Sequence, residues 1–92
     1  MSMKKAYITI HGRVQGIGFR FFVSQHARAL HLNGIVQNNS DGTVSVDVEG
    51  EQQSIKELIA LLHQGPSMSN VTEVDTEWNE YRGDYKDFRI IG

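Results

Sequence analysis

The stretch Gly12-Arg13-Val14-Gln15-Gly16-Ile17-Gly18-Phe19-Arg20 lies between two segments with regular hydrophobic patterns. Glycine can adopt positive φ angles, so this spacing of glycines allows successive main-chain N–H groups to converge on one point. A helix that follows directly adds its partly positive N-terminus. Arg20 closes the stretch with a guanidinium that can bind two oxygens of one phosphate. The stretch therefore predicts an anion-binding loop.

The segments on either side of this loop predict a strand and a helix. Apolar and polar residues alternate over residues 5–11, which is typical of a strand with one buried face. From Phe19 to Leu30 apolar residues recur at helical spacing, and Asn33-Gly34 ends the pattern. The loop is thus expected to lead directly into the N-terminus of a helix.

The remaining chain predicts four further strands and one further helix. The strands cover residues 35–38, 43–49, about 71–81 and about 88–91, and the helix covers residues 55–62 before Gly65-Pro66. Asn39-Ser40-Asp41-Gly42 predicts a tight turn between the second and third strands, and Gly50 predicts the end of the third. Asp47 and Glu49 are expected on the solvated face of that strand.

This order, βαββαβ plus a short C-terminal strand, predicts an α+β protein with the ferredoxin-like, split β-α-β fold. Its antiparallel sheet carries both helices on one face. The first two strands must run parallel with the third between them, so their C-terminal ends lie at one edge, about 10 Å apart. The glycine loop leaves the first strand and Asn38 ends the second. Both are therefore expected to face the same crevice.

Composition restricts the classes of protein to which the chain can belong. Its 92 residues suit one domain spanning residues 1–92, and no cysteine is present to form disulfides or thiolate sites. A net charge of -2 argues against a nucleic-acid partner, and no apolar run predicts a signal peptide or a membrane partner. We expect a cytoplasmic monomer. The four histidines share no metal-ligand spacing along the sequence, so we expect no metal and no cofactor.

The predicted crevice contains main-chain amides, an arginine and a carboxamide, but no obvious nucleophile, carboxylate pair or metal ligand set. These groups suit phosphoryl transfer to water when the leaving group departs without a proton, as the carboxylate of an acyl phosphate does. Asn38 would orient the attacking water. The phosphate would be bound by Arg20 and by the main-chain amides of Gln15, Gly16, Ile17, Gly18, Phe19 and Arg20.

Two motifs resemble the signature sequences of the acylphosphatase family. The first is the run from Gly12 to Arg20, and the second is Gly34-Ile35-Val36-Gln37-Asn38-Asn39-Ser40-Asp41-Gly42-Thr43-Val44 with Gly50. The resemblance implies metal-independent hydrolysis of small acyl phosphates, with the family's phosphate-binding arginine at Arg20 and its water-positioning asparagine at Asn38. Ile17 stands where the family usually has valine, and Ile35 where it has an aromatic residue. The second departure could lower stability or alter the crevice wall beside Asn38.

Three other functions remain open from the sequence. The substrate could be carbamoyl phosphate, because a similar domain begins the larger hydrogenase-maturation carbamoyltransferases. The chain could also bind a phosphate ligand without turnover, and inorganic phosphate or sulfate could then occupy the site. RNA binding, which this fold also supports, needs exposed aromatic residues on the middle strands. The third strand instead presents Thr43, Ser45, Asp47 and Glu49, which disfavours that function.

Overall fold

The computed structural model describes residues 2–92 and contains the seven elements in the predicted order. The strands are β1 (Met3–Arg13), β2 (Asn33–Asn38), β3 (Val44–Glu51), β4 (Asn70–Glu80) and β5 (Phe88–Ile90). The helices are α1 (Phe19–Ala29) and α2 (Gln52–Gln64). Hydrophobic periodicity therefore identified every element, and the differences are confined to the ends.

The five strands form one sheet in the order β4-β1-β3-β2-β5. Both β1 and β2 pair with β3 in antiparallel fashion, so β1 and β2 run parallel to each other and end at the same edge, as predicted. The ferredoxin-like α+β fold is confirmed. The edge strand β5, however, pairs with β2 in parallel, so the sheet is mixed. The chain reaches this edge beside the start of β2, where the Gly34 N–H donates to the Asp87 carbonyl at 2.8 Å, and β5 then runs in the direction of β2.

One face of the sheet packs against both helices, and the core lies between these layers. The alternation predicted for β1 and β3 is observed, because every second residue of each strand is buried on this face. The apolar stripes of both helices cover the same layer. The buried apolar residues of these four elements are Ala6, Ile8, Ile10, Phe19, Val23, Ala27, Val44, Val46, Val48, Ile55, Leu58 and Leu62.

Gly50 does not end the third strand, contrary to the prediction from the sequence. It pairs with Lys4, and β3 continues to Glu51. A Cβ atom at Gly50 would lie 2.4 Å from Leu32 Cδ2, and the residue has a φ angle of 153°. The backbone conformation therefore favours glycine here, a Cβ atom would also force the Leu32 side chain to shift, and the strand is not interrupted.

The opposite side of the sheet, here called the outer face, is partly covered by the crossing segment, residues 81–87, which connects β4 at one edge to β5 at the other. The Glu49 side chain on β3 is buried beneath this segment, with 2% of the residue exposed. Its carboxylate accepts main-chain N–H bonds from Arg82 at 3.1 Å, Gly83 at 2.8 Å and Tyr85 at 3.2 Å. The predicted solvated position of Glu49 was therefore wrong.

Further polar contacts attach the crossing segment to the outer face. The Tyr85 hydroxyl donates to Asp47 at 2.7 Å, and burial together with this contact raises the pKa of Tyr85. Lys5 Nζ donates to Asp84 at 2.7 Å, which raises the pKa of Lys5 and lowers that of Asp84. Asp47 is consequently half-buried, although the alternation along β3 predicted a solvated side chain.

Candidate active site

The loop between β1 and α1 has the backbone conformation that its glycines predict. Gly16 and Gly18 have φ angles of 77° and 81°, and Gly18 occupies the N-cap of α1. A Cβ atom at either position would meet no atom within 4 Å, so the dihedral angle favours glycine here, not a lack of space. Val14 is buried in the core and Ile17 packs against it. These two apolar side chains attach the loop to the core.

The loop contains main-chain N–H groups that have no hydrogen-bond partner among the described residues. Within residues 2–92, the main-chain N–H groups from Gln15 to Gly18 donate to no protein acceptor. Phe19 and Arg20 begin α1, where the N–H groups of the first turn have no acceptor within the helix. These donors lie at the positive end of the helix dipole, so the segment has the properties of an anion-binding site.

Arg20 and Asn38, which are 18 positions apart in the sequence, meet at one oxygen atom. The Gly92 main-chain oxygen accepts a hydrogen bond from Arg20 Nη1 at 2.6 Å and another from the Asn38 N–H at 3.2 Å. The fold therefore brings together the two residues that the sequence predicted to share a crevice. Arg20 has five N–H donors, and this contact uses one of them.

The side chain of Asn38 is the second polar group of the crevice. Asn38 ends β2 opposite Val44, on the face of the sheet that carries the helices. Its Oδ1 atom is buried and has no hydrogen-bond partner among residues 2–92. Because buried polar atoms almost always have a partner, this oxygen is suited to a donor that the chain does not provide, such as water.

Ile35 does not form the crevice wall beside Asn38. It pairs with Asp47 of β3 and Arg89 of β5, and strand alternation places its half-buried side chain on the outer face. Asn38 lies three residues further along β2 and therefore on the other face. The expectation that an aliphatic residue here alters the wall beside Asn38 was wrong, since the sheet separates the two side chains.

Gln15 connects the glycine loop to the turn that follows Asn38. Its Nε2 atom donates to the main-chain oxygens of Asn39 at 2.8 Å and Thr43 at 2.9 Å. Sequence reasoning assigned Gln15 only a main-chain amide and missed this bridge, because its acceptors are main-chain atoms that leave no residue-type signal. The Gly92 oxygen was missed for the same reason.

The turn after β2 is closed by its own polar side chains. The Asn39 N–H donates to the Thr43 oxygen at 2.8 Å, and Asn39 Nδ2 donates to Thr43 Oγ1 at 2.9 Å, in agreement with the tight turn predicted for residues 39–42. The Asp41 carboxylate accepts from the Thr43 hydroxyl at 2.7 Å and from its N–H at 3.0 Å, and these bonds lower the pKa of Asp41. These four hydrogen bonds close the turn that directly follows Asn38.

Neither helix of residues 2–92 is long and apolar enough to cross a membrane.

Comparison with known proteins identifies the family. The acylphosphatase family model matches residues 6–90. The chain is similar to an acylphosphatase of Thermococcus kodakarensis, with 41% identity over 92 residues and complete coverage of both proteins. It is also similar to the crystal structure of acylphosphatase from Bacillus subtilis, with a TM-score of 0.93, 30% identity and coverage of 97% of this chain and 99% of that one. In a structure of full-length HypF, a similar region with 39% identity and a TM-score of 0.90 covers 99% of this chain but only 12% of that one. The chain therefore belongs to the acylphosphatase family.

Proposed function

We propose that this chain hydrolyses the carboxyl–phosphate bond of small acyl phosphates at the crevice formed by the glycine loop, Arg20 and Asn38. Acyl phosphate hydrolysis follows from membership of the acylphosphatase family. The roles of the individual residues are inferred from their geometry. One observation supports this inference most directly. The Arg20 guanidinium and the Asn38 main-chain N–H both donate to the Gly92 oxygen, beside a loop of unpaired N–H groups.

The glycine loop and Arg20 bind the phosphate in this mechanism. Main-chain N–H groups of Gln15, Gly16, Ile17, Gly18, Phe19 and Arg20 donate to its oxygens, and the dipole of α1 favours the negative charge. The Arg20 guanidinium is held in place through the Gly92 oxygen and retains further N–H groups for the substrate. As the carboxyl–phosphate bond lengthens, these preorganised donors stabilise the charge that develops on the phosphoryl oxygens.

Asn38 positions the attacking water. Its buried and unpartnered Oδ1 atom can accept a hydrogen bond from a water molecule in the crevice. The water oxygen attacks phosphorus in line with the leaving group, the phosphorus–oxygen bond to the acyl group breaks, and the carboxylate leaves without protonation. Inorganic phosphate carries the proton lost by the water. No metal or cofactor is required by this scheme.

The same site could hydrolyse carbamoyl phosphate, which contains the same type of carboxyl–phosphate anhydride. This shared type of bond is the reason to test carbamoyl phosphate beside the simple acyl phosphates. We further infer that residues 1–92 act as one domain, that the enzyme is a cytoplasmic monomer, and that inorganic phosphate or sulfate competes with the substrate.

Hydrolysis of benzoyl phosphate in the presence of EDTA tests this function. We expect phosphate release by the wild-type protein, and the absence of turnover would instead favour a module that binds phosphate without reaction. In Asn38→Ala, kcat should fall by about 10²-fold or more, whereas the inhibition constant of inorganic phosphate should stay within about a factor of three. Asn79→Ala, at an exposed position of β4, is the matched control. Equal losses in kcat and in phosphate affinity would contradict the assignment of Asn38 to the water.

A further inference from the structure

Three side chains with metal-binding atoms meet on the outer face, away from Arg20 and Asn38. His11 lies at the end of β1, directly opposite Glu73 of β4, while Asp75 lies two residues from Glu73 on the same strand. His11 Nε2 and Asp75 Oδ2 are 3.1 Å apart. One ligand atom from each of the three residues lies within 4.8 Å of the other two. We call this group the His11 cluster.

Strand pairing explains the cluster and its accessibility. Residues 73 and 75 share a face because side chains alternate along a strand, and this face is the one that His11 occupies on β1. A register irregularity between His11 and Gly12 ends the regular pairing beside the cluster. Both carboxylates are exposed and His11 is half-buried, so a hydrated ion can reach all three ligand atoms.

The chemistry of this donor set favours a particular class of ion. One imidazole nitrogen with two carboxylate oxygens suits Zn²⁺ and neighbouring divalent transition metals better than Mg²⁺ or Ca²⁺, which prefer oxygen ligands alone. Tetrahedral zinc with bonds of about 2.0 to 2.1 Å places its ligand atoms about 3.4 Å apart. The His11–Asp75 separation is already close to this value, and the exposed carboxylate of Glu73 can approach through rotamer adjustment.

We propose that the His11 cluster binds one divalent transition metal ion of the zinc type, with the remaining coordination position open to water. Bound metal would tie β4 to β1 at the residue that precedes Gly12 and the phosphate-binding loop. The simpler role for these side chains is an ion pair between His11 and Asp75, and an exposed pair of this kind contributes little stability. That pair does not involve Glu73, so a substitution of Glu73 distinguishes a metal site from a simple ion pair.

Zinc titration of metal-free protein without a histidine tag, followed by calorimetry, tests the proposal. We expect one Zn²⁺ per chain and a rise in the thermal unfolding midpoint with added Zn²⁺. His11→Asn, Glu73→Gln and Asp75→Asn should each weaken Zn²⁺ binding by at least about tenfold, as losses of about 10- to 100-fold follow even the removal of groups that only support a ligand. His63→Asn is the matched control because His63 is exposed on α2 and lies outside the cluster.

Cobalt substitution provides a second readout that depends on the ligands. Co²⁺ should give visible absorption bands in the wild type that disappear in His11→Asn, and circular dichroism should confirm that each variant is folded. The proposal is overturned if wild type and Glu73→Gln bind Zn²⁺ equally, since the cluster is then an ion pair only. Equal losses in His63→Asn would overturn it as well. These measurements do not depend on turnover, so they stand whether or not benzoyl phosphate is hydrolysed.

Discussion

Replacing Gln15 by alanine should loosen the contact between the phosphate-binding loop and the turn that supports Asn38. The Gln15 side chain is partly buried and donates two hydrogen bonds, at 2.8 Å to the Asn39 oxygen and at 2.9 Å to the Thr43 oxygen. No other side-chain hydrogen bond between residues of the described chain joins the loop to this turn. We therefore expect Gln15→Ala to affect both the stability of the fold and the geometry of the crevice.

The magnitude follows from the partners that remain after the substitution. The Asn39 oxygen still accepts from the Gly42 N–H, and the Thr43 oxygen still accepts from the Asn39 N–H, so neither carbonyl is left unpaired. The cost is then about 0.5 to 1 kcal/mol per bond, or about 1 to 2 kcal/mol in the free energy of unfolding. If the same energy is lost in the transition state, kcat/KM falls roughly 5- to 30-fold.

Urea denaturation and benzoyl phosphate kinetics measure these two effects. Gln25→Ala is the matched control, because Gln25 is exposed on α1 and its removal should change neither quantity by much. The decrease should appear mainly in kcat, since the N–H groups proposed to bind phosphate are main-chain atoms that the substitution retains. A Gln15→Ala variant that matches the control in both stability and kcat/KM would refute the bridging role.

Further predictions concern the charge at the site and the crossing segment. Arg20→Gln should lower kcat/KM by about 10³-fold or more, because it removes the cation that faces the phosphate; near-normal turnover of benzoyl phosphate would show that Arg20 is misassigned. Glu49→Gln should cost about 2 to 4 kcal/mol in urea unfolding, since three main-chain N–H groups share the buried carboxylate, whereas Glu57→Gln at an exposed position should cost little. Because burial and Asp47 raise the pKa of Tyr85, its protonated hydroxyl stabilises the fold fully below about pH 10, and this stabilisation is lost as the pH rises further. Tyr85→Phe should therefore be less stable at neutral pH but lose stability less steeply above pH 10, and parallel pH profiles in thermal unfolding would contradict this linkage.

Residues close together in the sequence made much of the candidate site predictable. The glycine spacing and the helix that follows Gly18 are local features, and they predicted the conformation of the loop without tertiary information. Asn38 could be assigned to the same edge because strand directions in this topology follow from the order of the elements. The roles of Arg20 and Asn38 in catalysis stay predictions, which the kinetic experiments above address.

The errors on the outer face have two separate origins. Alternation along β3 predicts which side chains leave the helix-bearing face, but it does not predict what covers the other face. Glu49 is buried because the crossing segment passes over it on the way between opposite edges of the sheet. Ile35 was misplaced through its nearness to Asn38 in sequence, although three positions along a strand reverse the face.

Local sequence patterns predicted the order of the elements, the core-facing side of β1, β3 and both helices, and the loop that carries the unpaired N–H groups. These properties depend on periodicity and glycine dihedral angles, which act over a few residues. Only the tertiary structure decided which distant atoms meet: Gly92 with Arg20, Gln15 with the turn after Asn38, Glu49 with the crossing segment, and His11 with the carboxylates of β4. Such contacts depend on strand order and on the path of one connecting segment, and no local pattern in the sequence specifies them.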